Sequence, residues 1–199
     1  IIVVSSGSTD KTDEIVKTFS KKNKKIKLII QKRREGKASA INVFLKKVKS
    51  KILVLESADT IPKEYVIEKL CLPLKNKKIG IVASHPIPKN IDNNYLGYLV
   101  NLQWKMHHKM SLQNPKFGEL IAFRRAFDKI GNTAVDEEYI AMLIKKKGLN
   151  GVYIPRAIVY NFGPKSIKDF LKQRRRIHCG HLELKKKYNY KVSKIDNFY

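Results

Sequence analysis

The stretch that decides the fold opens the chain: residues 1–12 read IIVVSSGSTDKT. The first four residues are apolar and β-branched, as in a buried strand, and residues 5–10 are a dense run of turn-forming side chains. Asp13 and Glu14 follow, where the dipole of a helix favours acidic residues. The segment therefore predicts a strand, a polar turn and a helix, with Thr12 as the helix N-cap.

The same alternation continues through the first half of the chain and becomes less regular in the second. The sequence predicts strands over 26–30, 52–55, 79–83, 120–123 and 152–160, and helices over 38–49, 62–74, 94–112, 136–147 and from 166 onward. Strands that alternate with helices imply βαβ crossovers and a mostly parallel sheet flanked by helices, in an α/β fold. With 199 residues, 43% of them hydrophobic, the chain is long enough for one ordinary domain.

The charge is the second strong feature, because 42 Lys and Arg residues against 17 Asp and Glu give a net charge of +25. Such an excess indicates an anionic partner: nucleic acid, an anionic membrane surface or a phosphorylated substrate. No apolar run approaches the roughly 20 residues that span a bilayer. Cys71 and Cys179 are isolated, which is typical of reduced thiols in a cytosolic protein.

Polar residues follow three of the predicted strands, at the sheet edge where α/β folds bind ligands. Residues 5–10 form either a plain strand-to-helix turn or a loop that contacts a nucleotide. Arg33, Arg34 and Lys37 around Gly36 are either solvated charge or a phosphate site, since Lys37 stands at a helix start where the dipole disfavours a cation. Asp59 either caps a helix or binds Mg²⁺ or Mn²⁺, with a diphosphate supplying further ligands.

Two later segments also have a plain and a functional interpretation. The acids of residues 136–138 begin a helix, where acids are favoured, or one of them acts as a general base. The run 173–176, QRRR, is either exposed charge or partly turned inward, since Gln173 falls on the same helical face as Phe170 and Ile177. In the second case its guanidinium groups bind a diphosphate.

Taken in order, these segments resemble the family 2 glycosyltransferases, which have the GT-A fold. The resemblance spans residues 1 to about 180. The matching stretches are IIVVSSGSTDKT at 1–12, REGKASAIN at 34–42, SAD at 57–59, GELIAFRR at 118–125, DE at 136–137 and QRRRI at 173–177.

The resemblance implies a hexosyltransferase-type enzyme that moves a sugar, with inversion, from a nucleoside diphosphate sugar to a lipid-linked or saccharide acceptor of a cell-envelope polysaccharide. Counting back from Gly148, Glu137 takes the place of the family's base and Asp136 that of the acid before it. By the same resemblance Asp59 holds Mg²⁺ or Mn²⁺. Donor-contacting residues are Ser6, Ser8, Asp10, Lys37, Ser57 and Asp59, and acceptor- or diphosphate-contacting residues are Gln173, Arg175 and Arg176.

The resemblance also implies an organisation and a location. Residues 1–199 form a single GT-A domain, with 1–90 as the nucleotide-binding half and 91–199 as the acceptor half. The charge predicts peripheral binding on the cytoplasmic, anionic face of a membrane. The basic C-terminal helix is expected at that interface, with Phe170, Ile177 and Leu184 at heptad spacing and the Trp104 helix as membrane-facing elements.

The sequence departs from the family pattern at several positions. Ser5-Ser6 replaces an Asp pair, Ser57 replaces the first acid of an Asp-x-Asp metal motif, and Ile177 replaces a Trp. The family's first strand is expected before Ile1 and is not in the sequence. Two alternatives therefore stand beside the enzyme: an inactive GT-A scaffold, and a basic nucleic-acid-binding module, although no nucleic-acid recognition motif is found.

Overall fold

The computed structural model describes residues 1–89 and 94–192. By its internal contacts the chain forms two compact units. The first comprises residues 1–49 and 127–136, and the second comprises residues 50–126 and 137–199, described here to residue 192. These two units are defined by contacts within the chain. The predicted halves, 1–90 for the nucleotide and 91–199 for the acceptor, are defined by the ligand that each would bind, and that division stays a prediction.

The first unit contains the strand–turn–helix that the opening residues predict. Its elements are β1 (Ile2–Ser6), α1 (Thr12–Lys22), β2 (Lys27–Gln31) and α2 (Lys37–Lys47). β1 and β2 pair in parallel, with Ile2 opposite Lys27 and Ser6 opposite Gln31, so the predicted βαβ crossover is confirmed here. Thr12 is not the N-cap of α1: Lys11 holds that position, and the Asp10 carboxylate accepts from the Thr12 N–H.

Asn42 of α2 joins residues 127–136 to the rest of this unit through Ile130. The Asn42 side-chain amide donates to the Ile130 carbonyl over 2.9 Å, and its oxygen accepts from the Ile130 N–H over 2.8 Å. Ala38, Ile41 and Leu45 form the buried side of α2.

The second unit contains the longer elements, and only the first residue of α5 is grouped with the first unit. Its elements are β3 (Ile52–Glu56), β4 (Thr60–Pro62), α3 (Val66–Cys71), β5 (Ile79–Lys89), α4 (Tyr95–Gln113), β6 (Leu120–Arg124), α5 (Asp136–Lys146), β7 (Asn150–Phe162) and α6 (Ile167–Tyr188). The strands form one sheet in the order β3-β6-β5-β7-β4.

The prediction of a mostly parallel sheet is wrong, because this sheet is mixed. β5 and β7 run parallel, but β3–β6, β5–β6 and β4–β7 are antiparallel pairs. Apolar composition does not encode strand direction; the connections set it. A short turn at residues 57–59 joins β3 to β4, whereas the helix α4 lies between β5 and β6, and yet β6 runs antiparallel to β5. A helix between two strands therefore does not by itself establish that they are parallel.

The predicted helix over 62–74 is also corrected. Pro62 lies in β4 at the edge of the sheet, where a missing N–H is tolerated. The helix begins later, at Val66, and continues after Cys71 as a 3-10 turn over Leu72–Lys75. Its buried side chains Val66 and Leu70 pack against the sheet.

The helix expected from residue 166 onward is present as α6. Its N-cap is Ser166, whose hydroxyl accepts a hydrogen bond from the Asp169 N–H. Its heptad residues do not share one exposed face: Leu184 is 1% exposed, and Phe170 and Ile177 are half-buried. Leu184 is therefore not a membrane-facing side chain. Over the part of the chain that the structure describes, no helix is both long and apolar enough to cross a membrane.

Candidate functional site

The turn after β1 is a closed structure in which every predicted polar residue has a local role. Ser5 and Ser8 share a hydrogen bond of 2.8 Å between their hydroxyl oxygens. Ser6 accepts from the Glu35 N–H over 3.0 Å, and Asp10 accepts from the Thr12 N–H over 3.0 Å. Hydrogen bonding by the Thr12 side chain, and secondarily by its N–H, lowers the pKa of Asp10. These contacts account for the turn as local structure, and donor contact by Ser6, Ser8 and Asp10 stays a prediction.

The first unit brings this turn against the basic turn at residues 33–37. Gly7 has a left-handed φ of 64°, and a Cβ there would lie 2.7 Å from the Arg34 backbone nitrogen, so only glycine permits the approach. The Glu35 carboxylate accepts from Gln31 over 3.1 Å and from Ser39 over 2.7 Å. The basic turn is thus fixed at Arg34 by its contact with Gly7 and at Glu35 by its bonds to Gln31 and Ser39.

The start of α2 concentrates positive charge. Gly36 is its N-cap, with φ 85° and ψ 169°, and no acid lies in its first turn. Arg33, Arg34 and Lys37 are exposed around that point. A helix N-terminus has unpaired N–H groups and a positive dipole end, so this arrangement favours an anion.

In the second unit, Asp59 follows β3 in a tight turn and its side chain is exposed. The turn is closed by the Thr60 hydroxyl, which donates to the Ser57 carbonyl over 2.7 Å, and by the Thr60 N–H, which donates to the same carbonyl. Among the described residues, nothing forms a hydrogen bond or ion pair with the Asp59 carboxylate. Because the carboxylate does not cap a helix, its oxygens remain available to a hard cation.

One carboxylate is a sparse metal site. Within the described ranges no group of three or more His, Cys, Asp or Glu side chains could hold a metal ion. A metal at Asp59 would therefore take further oxygen ligands from a diphosphate or water, as the sequence implied. With that addition, the exposed carboxylate fits Mg²⁺ or Mn²⁺.

The turn that carries Asp59 is held by a residue that the sequence reasoning passed over. The Ser57 N–H donates to the Glu119 carbonyl over 3.0 Å. Glu119 has a φ of 58°, in the left-handed region, immediately before β6. In the sequence, the only signal of a turn here is the adjacent Gly118. The left-handed conformation is adopted by Glu119 and not by that glycine.

The start of α5 carries three successive acids in different environments. Asp136 and Glu138 are each 5% exposed, whereas Glu137 is half-buried. The Glu138 carboxylate accepts from the Phe117 N–H over 2.9 Å and from the Tyr190 hydroxyl over 3.4 Å. Burial raises the pKa of Glu138 to about 7, against the lowering effect of the Phe117 bond. Of the three, only Glu137 combines partial shelter with access for a substrate proton.

The arginine run of α6 has a different inward residue from the expected one. Gln173, Arg175 and Arg176 are exposed, and Arg174 is half-buried with its guanidinium 5.9 Å from the centre of the Phe170 ring. Burial lowers the pKa of Arg174, and attraction to Glu119 opposes that effect. Gln173 therefore does not lie on the inner face with Phe170 and Ile177; Arg174 takes that place. Contact of Gln173, Arg175 and Arg176 with substrate stays a prediction.

The chain belongs to glycosyl transferase family 2, because the family model of that description matches residues 1–143. It is 26% identical over 197 aligned residues to the probable glycosyltransferase YdaM of Bacillus subtilis (strain 168), with 88% of this chain and 46% of that protein covered. It is also 32% identical over 108 residues to the poly-beta-1,6-N-acetyl-D-glucosamine synthase of Staphylococcus epidermidis, covering 52% of this chain and 25% of that one. The chain thus spans less than half the length of these relatives.

Solved structures show the same fold. A mannosyltransferase from Pyrobaculum calidifontis, in complex with GDP-Man and Mn²⁺, superposes with a TM-score of 0.72 at 22% identity over 92% of this chain and 53% of that chain. Glucosyl-3-phosphoglycerate synthase from Mycobacterium tuberculosis, in complex with Mn²⁺ and UDP, gives a TM-score of 0.61 at 17% identity over 92% of this chain and 67% of that one. The GT-A fold expected from the sequence is therefore confirmed.

Proposed function

We propose that this chain transfers a sugar from a nucleoside diphosphate sugar to an acceptor hydroxyl, with inversion at the anomeric carbon. The observation that carries the proposal is the exposed Asp59 carboxylate at the end of β3, in a chain of family 2. Mn²⁺ in the complexes of the two structural neighbours supports a divalent cation at this position.

The chain's own residues divide the work. Glu137 removes the proton of the acceptor hydroxyl as its oxygen bonds to the anomeric carbon, while the bond from that carbon to the diphosphate oxygen breaks. Lys37 and the start of α2 bind the negative charge of the diphosphate. A metal ion held by Asp59 would neutralise charge that develops on the departing diphosphate. The proton ends on Glu137 and the electron pair on the leaving diphosphate.

The acceptor and the location are proposals of the same account. A saccharide acceptor is supported by the relative named poly-beta-1,6-N-acetyl-D-glucosamine synthase. A lipid-linked acceptor, and with it a cytoplasmic, peripheral site on an anionic membrane face, is supported by the net charge of +25. On α4, the helix that carries Trp104, an exposed apolar stripe is formed by Tyr95, Tyr98, Leu102 and Met106, with Lys105 and Lys109 beside it. Sedimentation with vesicles should therefore need anionic lipid and weaken when Leu102 and Met106 are changed to Ser; binding that is independent of both would refute the membrane proposal.

The test of the transferase is a thermal-shift panel of UDP-, GDP- and dTDP-sugars with and without Mn²⁺. We expect one nucleotide class to raise the melting temperature only with Mn²⁺. Asp59→Asn should abolish that rise, whereas Glu64→Gln, an exposed acid in the same unit, should leave it unchanged. A wild-type chain that responds to no sugar nucleotide would favour the inactive scaffold, and salt-sensitive binding of nucleic acid instead would favour the basic module.

A further inference from the structure

Glu138 is a buried acid that the proposed chemistry does not use. Its two oxygens accept from two different segments: the Phe117 N–H over 2.9 Å and the Tyr190 hydroxyl over 3.4 Å. A carboxylate is costly to bury unless hydrogen bonds compensate, so its presence here indicates that these contacts matter.

The shorter of the two contacts fixes a turn. Phe117 is 5% exposed, and its ring closes over Gly151, where a Cβ would lie 2.5 Å from the ring. The Leu120 N–H donates to the Gly118 carbonyl over 2.7 Å, and Glu119 between them holds a left-handed φ of 58°. For a residue with a side chain this conformation costs about 1–3 kcal/mol and persists only where its surroundings impose it. Here the Glu138 carboxylate holds Phe117 on one side of Glu119, and the pairing of Leu120 with Glu56 holds the other side.

The turn at residues 117–119 in turn holds the segment that carries Asp59. The Glu119 carbonyl accepts from the Ser57 N–H over 3.0 Å, and the Ser57 carbonyl accepts from the Thr60 hydroxyl over 2.7 Å. A continuous path of hydrogen bonds and short backbone segments therefore runs from the Glu138 carboxylate to the two residues that bracket Asp59. All of these residues lie in the second unit.

We propose that Glu138 is a positioning residue for the donor site: it fixes the turn at 117–119, which holds the Ser57–Thr60 turn and so places the Asp59 carboxylate. The inference rests on the proposed role of Asp59 toward the metal. Glu138 contacts neither substrate nor metal in this account and acts through the Phe117 and Ser57 backbone.

The proposal requires that the side chain at position 138 accept a hydrogen bond from the Phe117 N–H; it does not require a negative charge there. Lys116, Lys145 and Tyr190 are the titratable groups whose interactions with Glu138 affect its ionisation. A neutral amide in place of the carboxylate keeps an oxygen for the Phe117 N–H. An apolar side chain of similar size removes it and leaves that buried N–H unpaired.

The experiment compares Glu138→Gln with Glu138→Leu by two independent readouts. The first is amide hydrogen exchange at Phe117 and Ser57 in the metal-free protein, measured by NMR relative to Val82 in the buried strand β5. The second is the dissociation constant of UDP or GDP in the presence of Mn²⁺. We expect Glu138→Leu to speed exchange at both amides at least about tenfold relative to Val82 and to weaken nucleotide binding about tenfold. Glu138→Gln should stay within about twofold of wild type in both.

Two further variants make the result decisive. Tyr190→Phe removes only the 3.4 Å contact to Oε2 and should leave Ser57 exchange unchanged. If Glu138→Leu does not fold, Glu138→Asp, which retracts the carboxylate by one methylene, replaces it with the same expected direction. Unchanged exchange at Ser57 in the folded variant would overturn the inference, as would faster exchange with unchanged nucleotide affinity. A wild-type chain that binds no nucleotide would instead refute the proposed function, and the Ser57 exchange would still decide whether Glu138 holds the turn.

Discussion

Helices α2 and α5 have the same length, 11 residues, and end alike in Lys-Lys, but they begin with opposite chemistry. α2 begins after a left-handed glycine with an exposed lysine and no acid in its first turn. α5 begins with three acids, of which the first and third are buried. The dipole at a helix start favours acids, so α5 follows the electrostatic rule for a stable helix and α2 departs from it.

This difference between the two helix starts assigns them different tasks in the proposed reaction: α2 binds the donor, and α5 takes part in the proton transfer. A helix start without acids and with a cation is suited to hold a diphosphate, and it gains nothing in stability from that charge. A helix start with one half-buried acid between two buried ones is suited to accept a proton from a held group. The account therefore expects a change at Lys37 of α2 to affect affinity and a change at Glu137 of α5 to affect turnover, whereas Glu138 acts on affinity through the turn that carries Asp59.

The largest expected effect is that of Glu137→Gln. An amide cannot take the proton of the acceptor hydroxyl, so kcat should fall by about 10²- to 10⁴-fold. Nucleotide affinity should stay within about twofold. The measurement is release of nucleoside diphosphate under saturating donor, Mn²⁺ and acceptor; a variant that keeps most of the wild-type turnover would remove Glu137 from the role of base.

The next effect is the pH dependence of the free energy of unfolding that the buried Glu138 produces. Because burial raises the pKa of Glu138 from 4.5 to about 7, the folded state binds its proton more tightly than the unfolded state does. This stabilisation is fully present below about pH 4.5 and is lost as the pH rises to about 7. Between pH 5 and 8 the free energy of unfolding should fall by about 2–3 kcal/mol more in wild type than in Glu138→Gln.

Denaturant unfolding at the two pH values measures this difference. Glu183→Gln, which removes an exposed partner of Lys187 2.6 Å away, is the matched control and should follow the wild-type pH dependence. If Glu138→Gln also follows it, the carboxyl is not the group responsible.

A smaller effect tests the glycine at the start of α2. With φ 85° and ψ 169°, Gly36 lies in a region that other residues rarely adopt, so Gly36→Ala should cost about 1–3 kcal/mol of unfolding free energy. Gly118→Ala is the control, since its φ is not left-handed and a Cβ there meets no atom of the described residues within 4 Å. Equal stability of the two variants would mean that the turn before α2 relaxes easily.

The smallest expected effect is that of Lys37→Ala. Loss of one charged contact to a diphosphate should weaken UDP or GDP binding by about 1.5 kcal/mol, roughly tenfold, with a lesser change in kcat. Lys46→Ala at the other end of α2 should bind like wild type. Titration calorimetry with Mn²⁺ distinguishes the two, and equal losses would point to general surface charge.

The sequence predicted the segments with strong periodicity and the family motifs, and it missed features that depend on connections. β1, α1 and β2 were found because apolar runs, turn residues and helix-start acids agree with one another. The direction of β6 was not found because the helix α4 precedes it, as in a parallel crossover, although β6 runs antiparallel to β5. The strand at Thr60–Pro62 was not found because three residues with a proline carry no periodic signal. At the site, Asp59 and Glu137 stood out by their place in the motifs, whereas Glu119 and Glu138 act through backbone contacts that no spacing in the sequence encodes.

The central claim is that the start of α2 binds the donor and the start of α5 performs the reaction. The most direct test titrates UDP and GDP with Mn²⁺ into wild type, Lys37→Ala and Glu137→Gln side by side. The account predicts that one nucleotide binds wild type and Glu137→Gln equally and Lys37→Ala about tenfold more weakly. Loss of binding in Glu137→Gln together with full affinity in Lys37→Ala would contradict it.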